Sequence, residues 1–284
     1  MKNKLNLLLI AIFVGFVVWW ITFQNVVEKQ GLATQWFGGT YGVLALVGSI
    51  IGFVAAKKWG GFKTVLGKAL IFFSLGLLAQ ELGQLIYAYY VDTLHVQIPY
   101  PSWGDLAFFG SVIFYIIAAL YLTRTSGAKF SLKEKKYKAI AVLVPIILVT
   151  ISYTILLRKH KYDTSHPLTV LLDFGYPMGQ AIYISIAVTA YLLSRKLLGG
   201  VMKSGILFVI FALVVQYVSD FNFIYQNSRG SWLSGRYGDL FYLTAYLVMA
   251  IAMAKFLSIY SGLRAKTQVA APVESAEKPA ESSV

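Results

Sequence analysis

Long apolar stretches separated by short polar segments dominate this chain as far as about residue 257. A helix needs about 20 mainly apolar residues to cross the hydrocarbon core of a bilayer, and eight stretches of this kind can be drawn. The pattern therefore predicts an all-α, polytopic integral membrane protein of about eight transmembrane helices arranged as helix hairpins. The predicted spans cover residues 5–23, 36–56, 65–91, 103–122, 139–157, 168–193, 204–225 and 237–257.

The two ends of the chain differ from the spans between them. Residues 1–35 hold a basic start, an apolar run that ends in Trp19-Trp20, and a first outer loop. The run is too long for a cleaved signal peptide and no small-residue cleavage site follows it, so we expect a retained signal-anchor helix. After Ser261 the composition shifts to Ala, Glu, Ser and Pro, which cannot build a core. We expect a transmembrane bundle over residues 1–260 and a disordered cytoplasmic tail over 261–284.

The amino-acid composition excludes several kinds of functional site. Only 13% of the residues are charged and there is no cysteine, which excludes disulfides, thiolate metal sites and cysteine nucleophiles. The three histidines fall in or beside predicted loops, so a histidine-rich metal site is not expected. The sequence contains no phosphate-cradling glycine loop and no nucleophile elbow. We therefore expect no metal, no cofactor and no catalytic residues.

The basic residues concentrate on one side of the predicted topology. An even number of spans places both termini together, and when that side is the cytoplasm, nineteen of the 25 Lys and Arg residues are cytoplasmic and six lie in outer loops. Cytoplasmic loops carry this kind of excess, which explains the net charge of +13 without a nucleic-acid partner. The cluster 158–161 runs against the rule. We expect a plasma-membrane protein with both termini in the cytoplasm and the lipid bilayer as its partner.

A proline-bounded loop, residues 99–105, precedes the fourth span. Its last four residues, Ser102 to Asp105, match a capping box, in which a serine caps the helix and an acid at the third helical position reaches back. A carboxylate there also meets the positive end of the helix dipole. Asp239 opens the eighth span in a similar way, so we expect capping as the main role of both carboxylates.

The third and fourth spans look like a copy of the seventh and eighth. The positions that match, at a shift of 136 or 134 residues, are Gln80 with Gln216, Gln84 with Asp220, and Gly104-Asp105-Leu106 with Gly238-Asp239-Leu240. Internal repeats are common in membrane folds. We therefore predict a duplicated helix hairpin.

Five of the twelve carboxylates lie inside predicted spans, where each costs about 2.5–3.5 kcal/mol at the helix centre. All five fall in the middle or outer half of the membrane. Amides and tyrosines recur beside them at helical spacing. The resulting candidate ligand-binding residues are Glu81, Gln84, Asp105, Asp173, Tyr176, Gln180, Asp220 and Asp239.

Two interpretations of this polar set remain open. It could line an outward-facing pocket for a cationic or hydrogen-bonding ligand, or it could hold the bundle together through hydrogen bonds between helices. Glu81 lies deep in a helix and has no capping role, so a functional role is expected there first. Trp232 and other aromatic residues near the span ends are interpreted as an interfacial aromatic belt.

Residues 83–90 followed by Pro99-Tyr100-Pro101-Ser102-Trp103-Gly104-Asp105 and an aromatic-rich helix resemble a known pattern. It is that of the multi-helix N-terminal membrane sensor domains of some bacterial and archaeal histidine kinases and diguanylate cyclases. The match is specific over about residues 76–122 and looser over 171–255. The resemblance implies a sensor or ligand-binding role, with Asp105 at the motif position. Such domains feed a cytoplasmic output domain, whereas a polar tail follows the last span here.

The leading hypothesis is therefore a stand-alone membrane sensor or ligand-binding module without catalysis. Its signal would pass to a separate signalling protein or through a homo-oligomer. The alternative is a small cation- or proton-coupled transporter, in which the intramembrane acids carry the coupling ion. An intramembrane enzyme is less favoured because no base is paired with a nucleophile.

Overall fold

The computed structural model describes residues 2–26, 32–96, 98–125, 135–158, 165–194, 202–227, 229 and 231–270. Within these ranges the chain forms α-helices joined by turns, and no strand occurs, which confirms the all-α prediction for this part of the chain. The α-helices are α1 Lys2–Val26, α2 Leu32–Thr40, α3 Val43–Lys58, α4 Val65–Ala88, α5 Trp103–Thr125, α6 Lys135–Ser152, α7 Pro167–Ser194, α8 Lys203–Asn227 and α9 Tyr237–Ala270.

Within the described residues, six helical segments are long and apolar enough to cross a membrane, which indicates a multi-pass membrane protein. They are Lys4–Gln24, Trp36–Lys58, Val65–Thr93, Trp103–Thr125, Lys203–Gln226 and Tyr237–Ala265. The other two predicted spans coincide with α6, which has a shorter apolar stretch at Val142–Ile155, and with α7, which is 28 residues long.

Two boundaries differ from the sequence prediction. The predicted second span is broken by a turn at Tyr41-Gly42, which separates α2 from α3. Glycine disfavours the helix interior by about 1 kcal/mol relative to alanine, and Gly38 and Gly39 weaken the helix just before this turn. At the other end, α9 continues past residue 260 to Ala270, since this stretch still contains helix-favouring Leu, Arg, Ala and Lys residues.

Several sequence predictions fall outside the described residues. They concern part of the first outer loop (27–31), most of the basic cluster 158–161, and the last part of the predicted tail (271–284).

The helices close into a ring. Each helix of the ring contacts the next in the order α3, α4, α5, α7, α8, α9, and α9 contacts α3 again. Helix α1 packs against the outside of α9, and α6 packs against the outside of α7. The ring interior is filled by large aromatic side chains such as Tyr115, Tyr183 and Tyr246, each 2% exposed or less. A polar chain also crosses it, because Tyr246 donates to Gln80 Oε1 at 2.9 Å and Gln80 Nε2 donates to Ser111 Oγ at 2.7 Å. The ring therefore brings the ends of distant spans to one place.

Candidate functional site

The capping box predicted at the start of α5 is confirmed. The backbone N–H and the hydroxyl of Ser102 both donate to Asp105 Oδ2, at 2.8 and 2.7 Å, and the Asp105 N–H donates to Ser102 Oγ at 3.2 Å. The other oxygen, Asp105 Oδ1, accepts the hydroxyl of Tyr87 from α4 at 2.7 Å. The cap therefore also ties α4 to α5.

Asp239 holds the equivalent position in α9. Its Oδ2 accepts the backbone N–H of Gly235 at 2.6 Å, and its Oδ1 lies 3.4 Å from the donating hydroxyl of Tyr41. Gly235 has a φ of 77°, a left-handed conformation that a glycine adopts without strain. Asp239 therefore fastens the turn before its helix, which agrees with the predicted capping role.

Asp220, in the second half of α8, accepts three side-chain donors. Gln180 from α7 and Gln216 from the preceding turn donate to Oδ2 at 2.6 and 3.0 Å, and Tyr242 from α9 donates to Oδ1 at 2.7 Å. The Asp220 carboxylate is therefore shared by three neighbouring helices of the ring.

These three aspartates line a single cavity of about 770 Å³, its mouth included. We call it the acidic cavity. It lies where the second halves of α4 and α8 meet the first turns of α5 and α9, with α2 and α7 at its sides. Of the predicted site residues, those that line it are Gln84, Asp105, Tyr176, Asp220 and Asp239.

The other three predicted site residues lie outside the cavity lining. Glu81 is buried against Gly42, and its Oε2 has no hydrogen-bond partner among the described residues. Asp173 accepts the hydroxyl of Tyr100 from the loop before α5 at 2.7 Å, and partial burial together with this contact raises the pKa of Tyr100. Gln180 does not line the cavity itself but donates a hydrogen bond to Asp220, which does. The residue expected to be functional first, Glu81, is therefore not part of the cavity.

Aromatic side chains make up much of the wall. The tyrosines at helical spacing beside the acids and amides were predicted from the sequence, whereas Tyr41 and the lining role of Trp232 were not. Trp232, interpreted above as part of an interfacial belt, lines the cavity together with Tyr41, Tyr87, Tyr242 and Tyr246. The tyrosines of α4 and α9 follow the acids and amides at helical spacing, which is a usable sequence signal. Tyr41 carries no such signal, because it stands at the break between α2 and α3.

The cavity is electrostatically one-sided. Asp92 adds a fourth carboxylate at its exposed mouth, and no Lys, Arg or His among the described residues lines it. The basic turn 57–63 lies at the opposite end of α4. Arg229 and Arg236 belong to the segment between α8 and α9, on the same side as the cavity, but neither lines it.

A short loop covers one side of the cavity and is fastened to α1. Trp232 and Ser234 of this loop line the cavity. The carbonyl of Gly235 accepts the indole N–H of Trp20 at 3.0 Å and the amide of Gln24 at 2.7 Å. Gly235 therefore bonds to α1 through its carbonyl and to Asp239 through its N–H.

No known protein-family model, curated protein or solved structure matches this chain. The resemblance to membrane sensor domains therefore stays a prediction. Within the described residues, no group of three or more His, Cys, Asp or Glu side chains is placed to hold a metal ion.

The capping box allows a direct stability test. We expect Ser102→Ala to lower the free energy of unfolding by about 1 kcal/mol, because it removes the hydroxyl that accepts the Asp105 N–H and contacts its carboxylate. Ser102→Thr keeps the hydroxyl and serves as the matched control. Thermal unfolding of the detergent-purified protein measures both, and equal melting temperatures for the two variants would contradict the capping role.

Proposed function

We propose that the chain is a membrane sensor or ligand-binding protein, with the acidic cavity as its ligand site. The observation that carries this proposal is the convergence of Asp105, Asp220 and Asp239 on one aromatic-lined cavity that no described basic residue lines. Ligand sites in proteins are typically concave, largely apolar and furnished with a few convergent polar groups. The acidic cavity has each of these properties.

We further propose eight transmembrane helices, with α6 and α7 crossing the membrane beside the six clear spans. Both termini then lie in the cytoplasm, and the nineteen-to-six distribution of basic residues supports this orientation. The basic turn 57–63 is cytoplasmic in this arrangement. The acidic cavity, at the other end of α4, then faces outwards.

A duplicated hairpin is part of the same proposal. In both α4–α5 and α8–α9 the third residue of the second helix is an aspartate that accepts a backbone N–H from the preceding turn. The glycine before each aspartate packs closely on an aromatic ring, with Gly104 against Tyr87 and Gly238 against Trp232. These shared details support a common origin of the two hairpins.

The topology can be tested with single cysteines, because the natural chain has none. We expect a membrane-impermeant maleimide to label Leu94→Cys and Ser165→Cys on intact cells, and Phe62→Cys only after permeabilisation. All three positions are exposed. Labelling of Leu94→Cys but not Ser165→Cys on intact cells would mean that α6 and α7 do not both cross the membrane. Labelling of Phe62→Cys alone would mean that the orientation is inverted.

The hydrogen bonds that join α1 to Gly235, beside the cavity, support a sensor rather than a transporter. A ligand that binds Asp239 contacts the same carboxylate that accepts the Gly235 N–H, and the Gly235 carbonyl accepts hydrogen bonds from Trp20 and Gln24 of α1. Occupancy of the cavity would therefore change the position of α1. Much of α1, including Leu8 and Val14, is exposed on the outside of the ring and available to a separate protein or a second copy.

Photocrosslinking tests this route. With a benzophenone amino acid at Val14, we expect one recurrent adduct, either with a signalling protein or with a second copy of the chain. Its yield should change when Trp20→Phe removes one of the two hydrogen bonds to Gly235. Ile113, equally exposed on α5, is the control position. Adducts with lipid only, or the same protein adduct from Ile113, would remove the support for the sensor.

A proton- or cation-coupled transporter is the second candidate, and the surroundings of Glu81 favour it. The α2–α3 helix is broken at Gly42, and the buried carboxylate of Glu81 lies directly against this glycine. Broken helices and acids near the midplane are recurrent features of ion-coupled transporters.

The transporter hypothesis makes its own prediction. If Glu81 carries the coupling proton, Glu81→Gln should abolish the lumenal pH change that a gradient of a quaternary ammonium ion, which cannot cross the lipid as a neutral amine, drives in proteoliposomes containing a pH-sensitive dye. Asp173→Asn, an acid outside the cavity lining, is the control for a general effect of charge removal. Unchanged flux in Glu81→Gln, or no flux in the unmodified protein, would exclude this role.

A further inference from the structure

We infer that the acidic cavity binds an organic ammonium cation with an apolar body. This inference rests on the proposed function of the cavity as a ligand site. It adds the chemical class of the ligand and the carboxylate that receives the ammonium group.

Charge is the first argument. Hydrogen bonds hold the carboxylates of Asp105, Asp220 and Asp239 in place, but hydrogen bonds do not neutralise them, and within the described chain no basic side chain lines the cavity. A carboxylate removed from water is costly unless it is protonated or meets a cation. A cationic ligand supplies the missing charge, whereas an anionic ligand would add to the repulsion.

The hydrogen-bond pattern distinguishes Asp239 from the other two acids. An ionised carboxylate offers about four acceptor positions. Three donors reach Asp105 and three reach Asp220. Asp239 has only two among the described residues, and one of these, from Tyr41, is long at 3.4 Å. Of these three buried acids, Asp239 therefore retains the most accepting capacity, and we assign the ammonium contact to it.

The walls beside Asp239 are aromatic. Tyr41 and Tyr246 stack with centroids 6.0 Å apart, and Tyr242 follows at 6.3 Å from Tyr246. Trp232 meets Tyr242 edge to face at 6.5 Å. Aromatic rings grouped in this way attract alkylammonium ions through their electron-rich faces and pack against apolar chains.

The carboxylates of the acidic cavity are not arranged as the ligands of a metal ion. Calcium takes six to eight oxygen ligands and magnesium a strict octahedron. In the part of the chain that the structure describes, the acids do not form a group that could surround an ion. At Asp105 and at Asp220, three hydrogen-bond donors already occupy most of the accepting positions.

A matched set of six-carbon compounds tests the inference on the full chain in lipid nanodiscs. Isothermal titration calorimetry with hexylammonium, 1-hexanol, hexanoate and calcium should give saturable binding of hexylammonium only. Asp239→Asn should weaken it by at least about tenfold, the loss expected for a charge-assisted hydrogen bond. Asp173→Asn, whose carboxylate is outside the cavity lining, should leave the affinity unchanged.

A second variant keeps the test decisive if Asp239→Asn does not fold. Asp92 is exposed at the cavity mouth, so Asp92→Lys is expected to fold and to abolish hexylammonium binding by placing a positive charge at the mouth. Asp92→Gln, which has no positive charge, should retain most of the binding. Equal affinities of the Lys and Gln variants would overturn the inference.

The outcomes separate this inference from the proposed function. Binding of hexanol or hexanoate as tight as that of hexylammonium, with no effect of Asp239→Asn, would overturn the ammonium assignment and leave the cavity as a ligand site. Stoichiometric calcium binding that Asp239→Asn abolishes would do the same. No binding by any of the four compounds would overturn the inference and remove support from the proposed function as well.

Discussion

A carboxylate inside a lipid-facing bundle must find hydrogen-bond donors or a cation, and the architecture of this protein follows from that requirement. The donors come from neighbouring helices. Tyr87 of α4 reaches Asp105 of α5, and Tyr242 of α9 reaches Asp220 of α8. Gln180 of α7 also reaches Asp220. The bonds that satisfy the acids are therefore the same bonds that join the helices of the ring.

These hydrogen bonds hold the acidic side chains in position without supplying a positive charge. The acidic cavity follows from this arrangement, since three fixed carboxylates share one aromatic-lined space with no basic residue from the described chain. The loop at Gly235 adds a mechanical link, because its two peptide groups bond Asp239 on one side and α1 on the other. The chemistry of the cavity and the position of the N-terminal helix are thereby connected.

Most of the helical architecture could be predicted from local sequence. The starts of α5 and α9 follow from acids at the third helical position, and the helix-forming stretches follow from apolar runs of membrane-spanning length. The turn at Tyr41-Gly42 was not predicted, because glycine is also common inside membrane helices, where it permits close packing. The extension of α9 to Ala270 was missed because a shift to polar composition ends an apolar run without ending a helix.

The sequence by itself determined which side chains need partners in a bilayer, since the cost of a carboxylate among apolar residues depends on local composition alone. Only the tertiary structure decided which of them share a site. Glu81 and Gln84 lie one turn apart on α4, yet Glu81 faces Gly42 while Gln84 donates to the carbonyl of Gly38 at 2.7 Å and lines the cavity. The reason is geometric: both side chains lie on the same face of α4, but Gln84 is one turn nearer to the end of the bundle where closure of the ring brings residues far apart in the chain together around the cavity.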